Sequence, residues 1–149
     1  MKNINTLVED VYGVLSSSKA DSNVDVDKVI EDFGESMKSL LRDNVLKVRE
    51  DKRTLRMSNI GRKERFLWYV HKGMPQEQMK PSTLMKFLYG HATEELVLAL
   101  VKLAGHEVTH QQAEAEVSGI KGSMDCMIDG KLIDVKTAAP FGFKKFKEG

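Results

Sequence analysis

The sequence predicts a mixed α+β domain in which helices pack on a largely antiparallel sheet, and three observations carry that expectation. Apolar residues recur at helical spacing through most of the first hundred positions. From His106 onward β-branched residues, alternation and glycine-bounded turns take over. The two textures form consecutive blocks rather than alternating, which favours helices laid on a sheet over a doubly wound parallel fold. At 149 residues the chain has the length of one domain and can bury a core.

Residues 3–15 carry Ile4, Leu7, Val8, Val11, Val14 and Leu15 on one stripe, and the polar run "SSSKADSN" ends that helix. A second helix is expected to start near Asn23 or Asp25 and to run through Val29, Ile30, Phe33, Met37 and Leu40 to about Val48, with acids in its first turn and bases near its end. Packing explains both stripes, so residues 1–57 are assigned as an N-terminal helical region and 58–149 as the functional core. "RFLWYV" predicts a helix entered through Ser58 to Gly61, and "MPQEQMKPS" a loop. Thr83 to Ala104 is expected to be helical, with Gly90 a candidate break and Gly105 the C-terminal stop.

Composition narrows the classes. Lys and Arg total 23 against 22 acids, so any nucleic-acid surface must be local. The lone Cys126 excludes an intramolecular disulfide and an all-cysteine metal site within one chain, as suits a reducing, cytoplasmic setting. No apolar run is long enough to span a bilayer, so no membrane partner is expected.

The chemistry concentrates in "GSMDCMIDGKLIDVKTAAP". Asp129-Gly130 between apolar runs is a two-residue hairpin signal, because a primed turn needs positive φ at both positions. That turn pairs Ile128 with Lys131, Met127 with Leu132 and Cys126 with Ile133, so Asp125 falls opposite Asp134. Opposed carboxylates share a face about 4.5–5.5 Å apart and repel. Period two adds Lys136 to that face and turns Ile133 and Val135 toward the core. A divalent cation relieves the repulsion, since Mg²⁺ takes carboxylate oxygens; a hydrated hairpin edge explains the same residues equally well. A third acid would separate the two. Glu94 lies on the helical stripe of Val97, Leu98 and Val101, where an inward carboxylate needs a partner, whereas Glu95 is rotated toward Ala99 and Lys102. A helix-start carboxylate, favoured by the dipole, or a wet stripe edge is the alternative reading of Glu94.

"GHATE" (Gly90 to Glu94), "GSMD" (Gly122 to Asp125) and "DVK" (Asp134 to Lys136), in that order and joined by a hairpin, resemble the PD-(D/E)XK nuclease superfamily, within it the RecB-type and lambda-exonuclease-like phage nucleases. The resemblance spans about residues 58–140. It implies a restriction-endonuclease-like core sheet flanked by helices, and a Mg²⁺- or Mn²⁺-dependent DNA nuclease, exonuclease-like, of phage replication or recombination, acting in the host cytoplasm if phage-encoded. It further implies that Glu94, Asp125 and Asp134 bind metal with the backbone carbonyl of Val135, and that Lys136 orients or activates the attacking water. "LRMSNIGRKERFLWY" is similar to the entry of RecB-like nucleases. Some relatives carry cluster-binding cysteines there; this chain has Ser58, so no iron–sulfur cluster is expected. Ser58, Arg62, Lys63 and Arg65, with Arg56, become candidate DNA contacts, and Trp68 or Tyr69 a candidate base contact; a core Trp68 and a solvated basic face are the plainer alternatives. His91, His106 and His110 lack a ligand set, and ordinary polar roles are expected for each.

One departure stands out. RecB-type enzymes carry a Gln-x-x-x-Tyr helix after further strands, and the glutamines here, Gln76, Gln78, Gln111 and Gln112, all lie upstream. The expectation is a core incomplete at its C-terminal side, completed by a second chain or a homo-oligomer, or else an inactive or split nuclease-fold fragment that binds DNA or a partner.

Overall fold

The computed structural model describes residues 2–46, 55–74, 79–138 and 140–148. Its architecture is mixed α+β, with five α-helices and two small antiparallel sheets among the described residues. A short 3-10 turn, Ile4–Thr6, opens the chain, with the Asn3 side chain accepting the Asn5 N–H, and leads into α1, Leu7–Ser17. Helix α2 covers Val26–Leu41 and is capped by Asp25, whose carboxylate accepts the Lys28 N–H at 3.1 Å. It runs on as a π-turn over Arg42–Leu46, and the expected end near Val48 lies outside the described residues. A 3-10 turn at Met57–Asn59 leads to α3, Glu64–His71. The expected loop after it lies partly outside the described residues, at 75–78. Helix α4, Pro81–Leu103, is continuous through Gly90, so the break considered there does not occur. Gly105 ends it at φ +81°, as the sequence predicts.

The strands are β1 (Val108–Thr109), β2 (Glu114–Val117), β3 (Ile120–Ser123), β4 (Cys126–Ile128) and β5 (Lys131–Ile133). One sheet has the order β1-β4-β5, and β2-β3 forms a separate hairpin. Helix α5, Pro140–Glu148, follows. The Asp129-Gly130 turn has φ 50° and 76°, and the register Cys126↔Ile133, Met127↔Leu132, Ile128↔Lys131 is the one the turn dictates.

Leu98 and Val101 of α4 bury against Cys126 and Ile128 of β4, with Ile4, Leu7, Val11, Val108, Ile133 and Val135 packed around them. The N-terminal helix thus contributes to the same core as the hairpin. Val97, expected on the buried stripe, lies at its exposed edge. His106 sits in the interior just past α4. Its Nδ1 lies 2.7 Å from Asp129 Oδ2 in the hairpin turn, its Nε2 lies 3.1 Å from Asp10 Oδ2 on α1, and its side chain is 0 % exposed. Asp129 also accepts the Glu107 N–H at 3.1 Å. This polar pin ties the first helix, the end of α4 and the tip of the hairpin together. No helix among the described residues is long and apolar enough to cross a membrane.

Candidate functional site

Immediately past the paired positions of β4 and β5, Asp125 and Asp134 are electrostatic neighbours, and Asp134 in turn meets Lys136 at 2.6 Å. Asp125 accepts the Val135 N–H at 3.1 Å, which fixes its carboxylate across the hairpin from the strand that carries Asp134 and Lys136. Behind the hairpin, α4 supplies Glu94 one turn before the buried Leu98. Glu94 accepts a hydrogen bond from the Gln112 side-chain amide at 2.8 Å, and the Gln112 backbone N–H donates to the Asp125 carbonyl at 2.9 Å. One residue therefore holds the helix carboxylate and the hairpin aspartate in a fixed relation.

The electrostatics follow from this crowding. Burial, then the like charge of Asp125, raises the Glu94 carboxyl above its usual range, while Gln112 acts the other way. The Lys136 hydrogen bond holds Asp134 below the usual aspartate range, and Asp134 raises the Lys136 ammonium, with Asp125 and Glu94 adding attraction. Burial raises the Cys126 thiol, as do the charges of Asp125 and Glu94. The four expected residues are thus electrostatic neighbours, with Lys136 the cation among three acids. As arranged, no group of three or more His, Cys, Asp or Glu side chains among the described residues closes around a metal-sized point. Each acid has another partner: the Val135 N–H for Asp125, Lys136 for Asp134, Gln112 for Glu94. The donor chemistry, three carboxylates, is nevertheless the hard-oxygen set that Mg²⁺ and Mn²⁺ take. A cleft of about 280 Å³ reaches Glu94 and Gln112, with His91, Asp43 and Asn44 also on its wall.

The basic segment connects to this site through β3. Arg56 bridges to Lys121, and Met57 lies over Gly122, where an added Cβ would come within 2.6 Å of its sulfur. Ser58 lines a second cleft of about 260 Å³ with Arg56, Lys121 and Ser123. Ser58, Arg62, Lys63 and Arg65 are exposed, and Trp68, for which a core position was the plainer alternative, is 52 % exposed. Sequence reasoning missed Gln112, which carries no motif, and the His106 pin, whose partners lie 23 and 96 residues away along the chain.

No family model, curated protein or solved structure matches this chain.

Proposed function

We propose that the protein is a divalent-cation-dependent DNA nuclease of the PD-(D/E)XK kind, exonuclease-like in its resemblance to phage replication and recombination enzymes, with a restriction-endonuclease-like core. The observation that carries the reading is the Glu94, Asp125, Asp134 and Lys136 constellation: two aspartates at the open end of one hairpin, a helix glutamate beside them, and a lysine on the aspartates' side. Opposed carboxylates repel each other across a sheet, and a bound divalent cation would offset that repulsion.

Glu94, Asp125 and Asp134, with the Val135 carbonyl, would hold Mg²⁺ or Mn²⁺, which when bound polarises the scissile phosphate and neutralises charge as the bond breaks. Gln112 holds one oxygen of Glu94. The Val135 N–H holds one oxygen of Asp125, so ligation of a cation would fall to the other. Lys136 cannot ligate a cation, because an ammonium has no lone pair; its role is to orient the attacking water by donating to it. The water oxygen would bond to phosphorus while giving up a proton to solvent, and the bond to the 3′-oxygen would break with that oxygen taking up a proton from solvent, leaving a 5′-phosphate and a 3′-hydroxyl. Arg62, Lys63 and Arg65, with Ser58, would hold the DNA backbone.

A second reading is favoured by one observation. Among the described residues β5 pairs only with β4, and its Leu132 is 67 % exposed, so this edge offers an unpaired strand to a second chain or copy that would complete the sheet. Cleavage of end-labelled DNA with and without Mg²⁺ tests the primary reading. Mg²⁺-dependent hydrolysis that vanishes in Asp134→Ala supports it; hydrolysis unchanged in Asp134→Ala, or none with Mg²⁺ or Mn²⁺, removes it in favour of a binding role.

A further inference from the structure

Helix α3 is unusual for the way its cations and rings are paired. Arg62 lies over the Phe66 ring at 5.8 Å, Arg65 over Tyr69 at 5.7 Å and Lys72 over Trp68 at 5.9 Å, each four residues apart. Trp68 and Tyr69 meet edge to face with centroids 5.2 Å apart. Phe66 and Trp68 are 45 % and 52 % exposed, whereas Leu67 and Val70 are turned partly inward, so the exposed rings are not this helix's packing face. Between Arg62 and Lys72 four Lys or Arg side chains face one acid, Glu64, in a chain that is otherwise nearly neutral.

We infer that this surface is a docking site for single-stranded nucleic acid, with a base stacking on Trp68 beside Tyr69 and the cations drawn from the rings onto phosphates. The inference rests on the nuclease reading for its partner class and adds strandedness. The charge fixes the sign of the partner: a polyanion. The exposed rings select among polyanions, because a stacked base offers a π-face to an aromatic side chain only when it is freed from its pairing partner, whereas a duplex presents backbone to such a helix. A guanidinium or ammonium over each ring limits the rings' disorder without burying them and can turn to a phosphate while a base takes its place. Arg56 and Met57, just before this helix, are anchored on β3 at Lys121 and Gly122, four and three residues ahead of Asp125 along the chain.

The sequence provides its own reporter, because Trp68 is the single tryptophan. Titrating the full chain in EDTA with a short oligo(dT) strand, and separately with duplex DNA, should quench Trp68 emission with the single strand only. Trp68→Ala, followed by anisotropy of a labelled strand, should weaken single-strand binding by about ten-fold, within the range seen for loss of one stacked base. Arg62→Gln and Arg65→Gln should each lower the salt dependence of log affinity by about 0.7. Tyr69→Ala, with circular dichroism confirming the fold, is the companion in case Trp68→Ala is damaged. Equal quenching by duplex and single strand, or single-strand affinity unchanged in both ring variants, overturns the inference. Because EDTA removes divalent ions, that result leaves hydrolysis at the carboxylates untouched, and loss of hydrolysis with quenching intact removes the nuclease reading but not this surface.

Discussion

Replacing His106 by alanine is the most informative stability experiment. The imidazole is fully buried, and one of its partners, Asp129, has a side chain only 5 % exposed. Removing the ring leaves the Asp129 carboxylate buried with the Glu107 N–H as its remaining partner. Deleting one partner of a buried hydrogen bond costs about 1–3 kcal/mol. At roughly 2–4 °C per kcal/mol for a domain of this size, the melting temperature should fall by roughly 2–12 °C. Asp10→Asn should cost clearly less, because the Asp10 side chain keeps contact with water and Asp129 retains the imidazole. Urea unfolding and thermal melts of the two variants, with m-values compared, provide the assay. Equal losses in both, or a His106→Ala loss under about 1 kcal/mol, would falsify the assignment of this contact as a buried pin.

Other consequences follow from the same geometry. A carboxyl raised in the folded state keeps its proton to higher pH than in the unfolded chain, so Glu94 contributes stability at low pH that is lost as pH rises from the ordinary glutamate range through its raised value. Asp134, lowered by Lys136, behaves oppositely: its contribution is present above the ordinary aspartate range and is lost as pH falls through its folded value. Melts of Glu94→Gln across weakly acid to neutral pH should lack the first slope, and an unchanged pH profile would sink the assignment. Gly105→Ala should destabilise by about 1–2 kcal/mol from the left-handed backbone alone. It should lose more as the new Cβ meets Asp21 Cγ at 2.8 Å, and a neutral melt would contradict that packing. Lys136→Ala should change stability by no more than about 1 kcal/mol, since Lys136 and Asp134 are 75 % and 59 % exposed, while abolishing hydrolysis. A fully active variant would remove Lys136 from the mechanism.

Local chemistry made the hairpin legible. Asp129-Gly130 can hardly form anything but a two-residue turn, and once the turn is set, register and the opposition of Asp125 to Asp134 follow. Asp25 as a helix cap and Gly105 as a stop were legible for the same reason, since each answers a need of the backbone within a few residues. Gly90 misled because a mid-helix glycine costs only about 1 kcal/mol, which the packing of a 23-residue helix absorbs. An added Cβ there would stand 3.8 Å from the Thr137 hydroxyl, an ordinary contact, so packing does not demand a glycine at this position. Gln112 and His106 were illegible because their partners come from distant elements and neither sits in a periodic pattern. Val97 shows the limit of helical phase, which identifies the stripe but not which of its edges the sheet covers.

The nuclease reading turns on whether the three acids give up their present partners for a divalent cation. Calorimetric titration of Mn²⁺ into the full chain, run on the wild type, Lys136→Ala and Asp134→Ala at neutral pH, tests this most directly. Saturable binding in the wild type and in Lys136→Ala, lost in Asp134→Ala, is the expected result. No binding in the wild type, or equal binding in Asp134→Ala, would contradict a metal site at the open end of this hairpin.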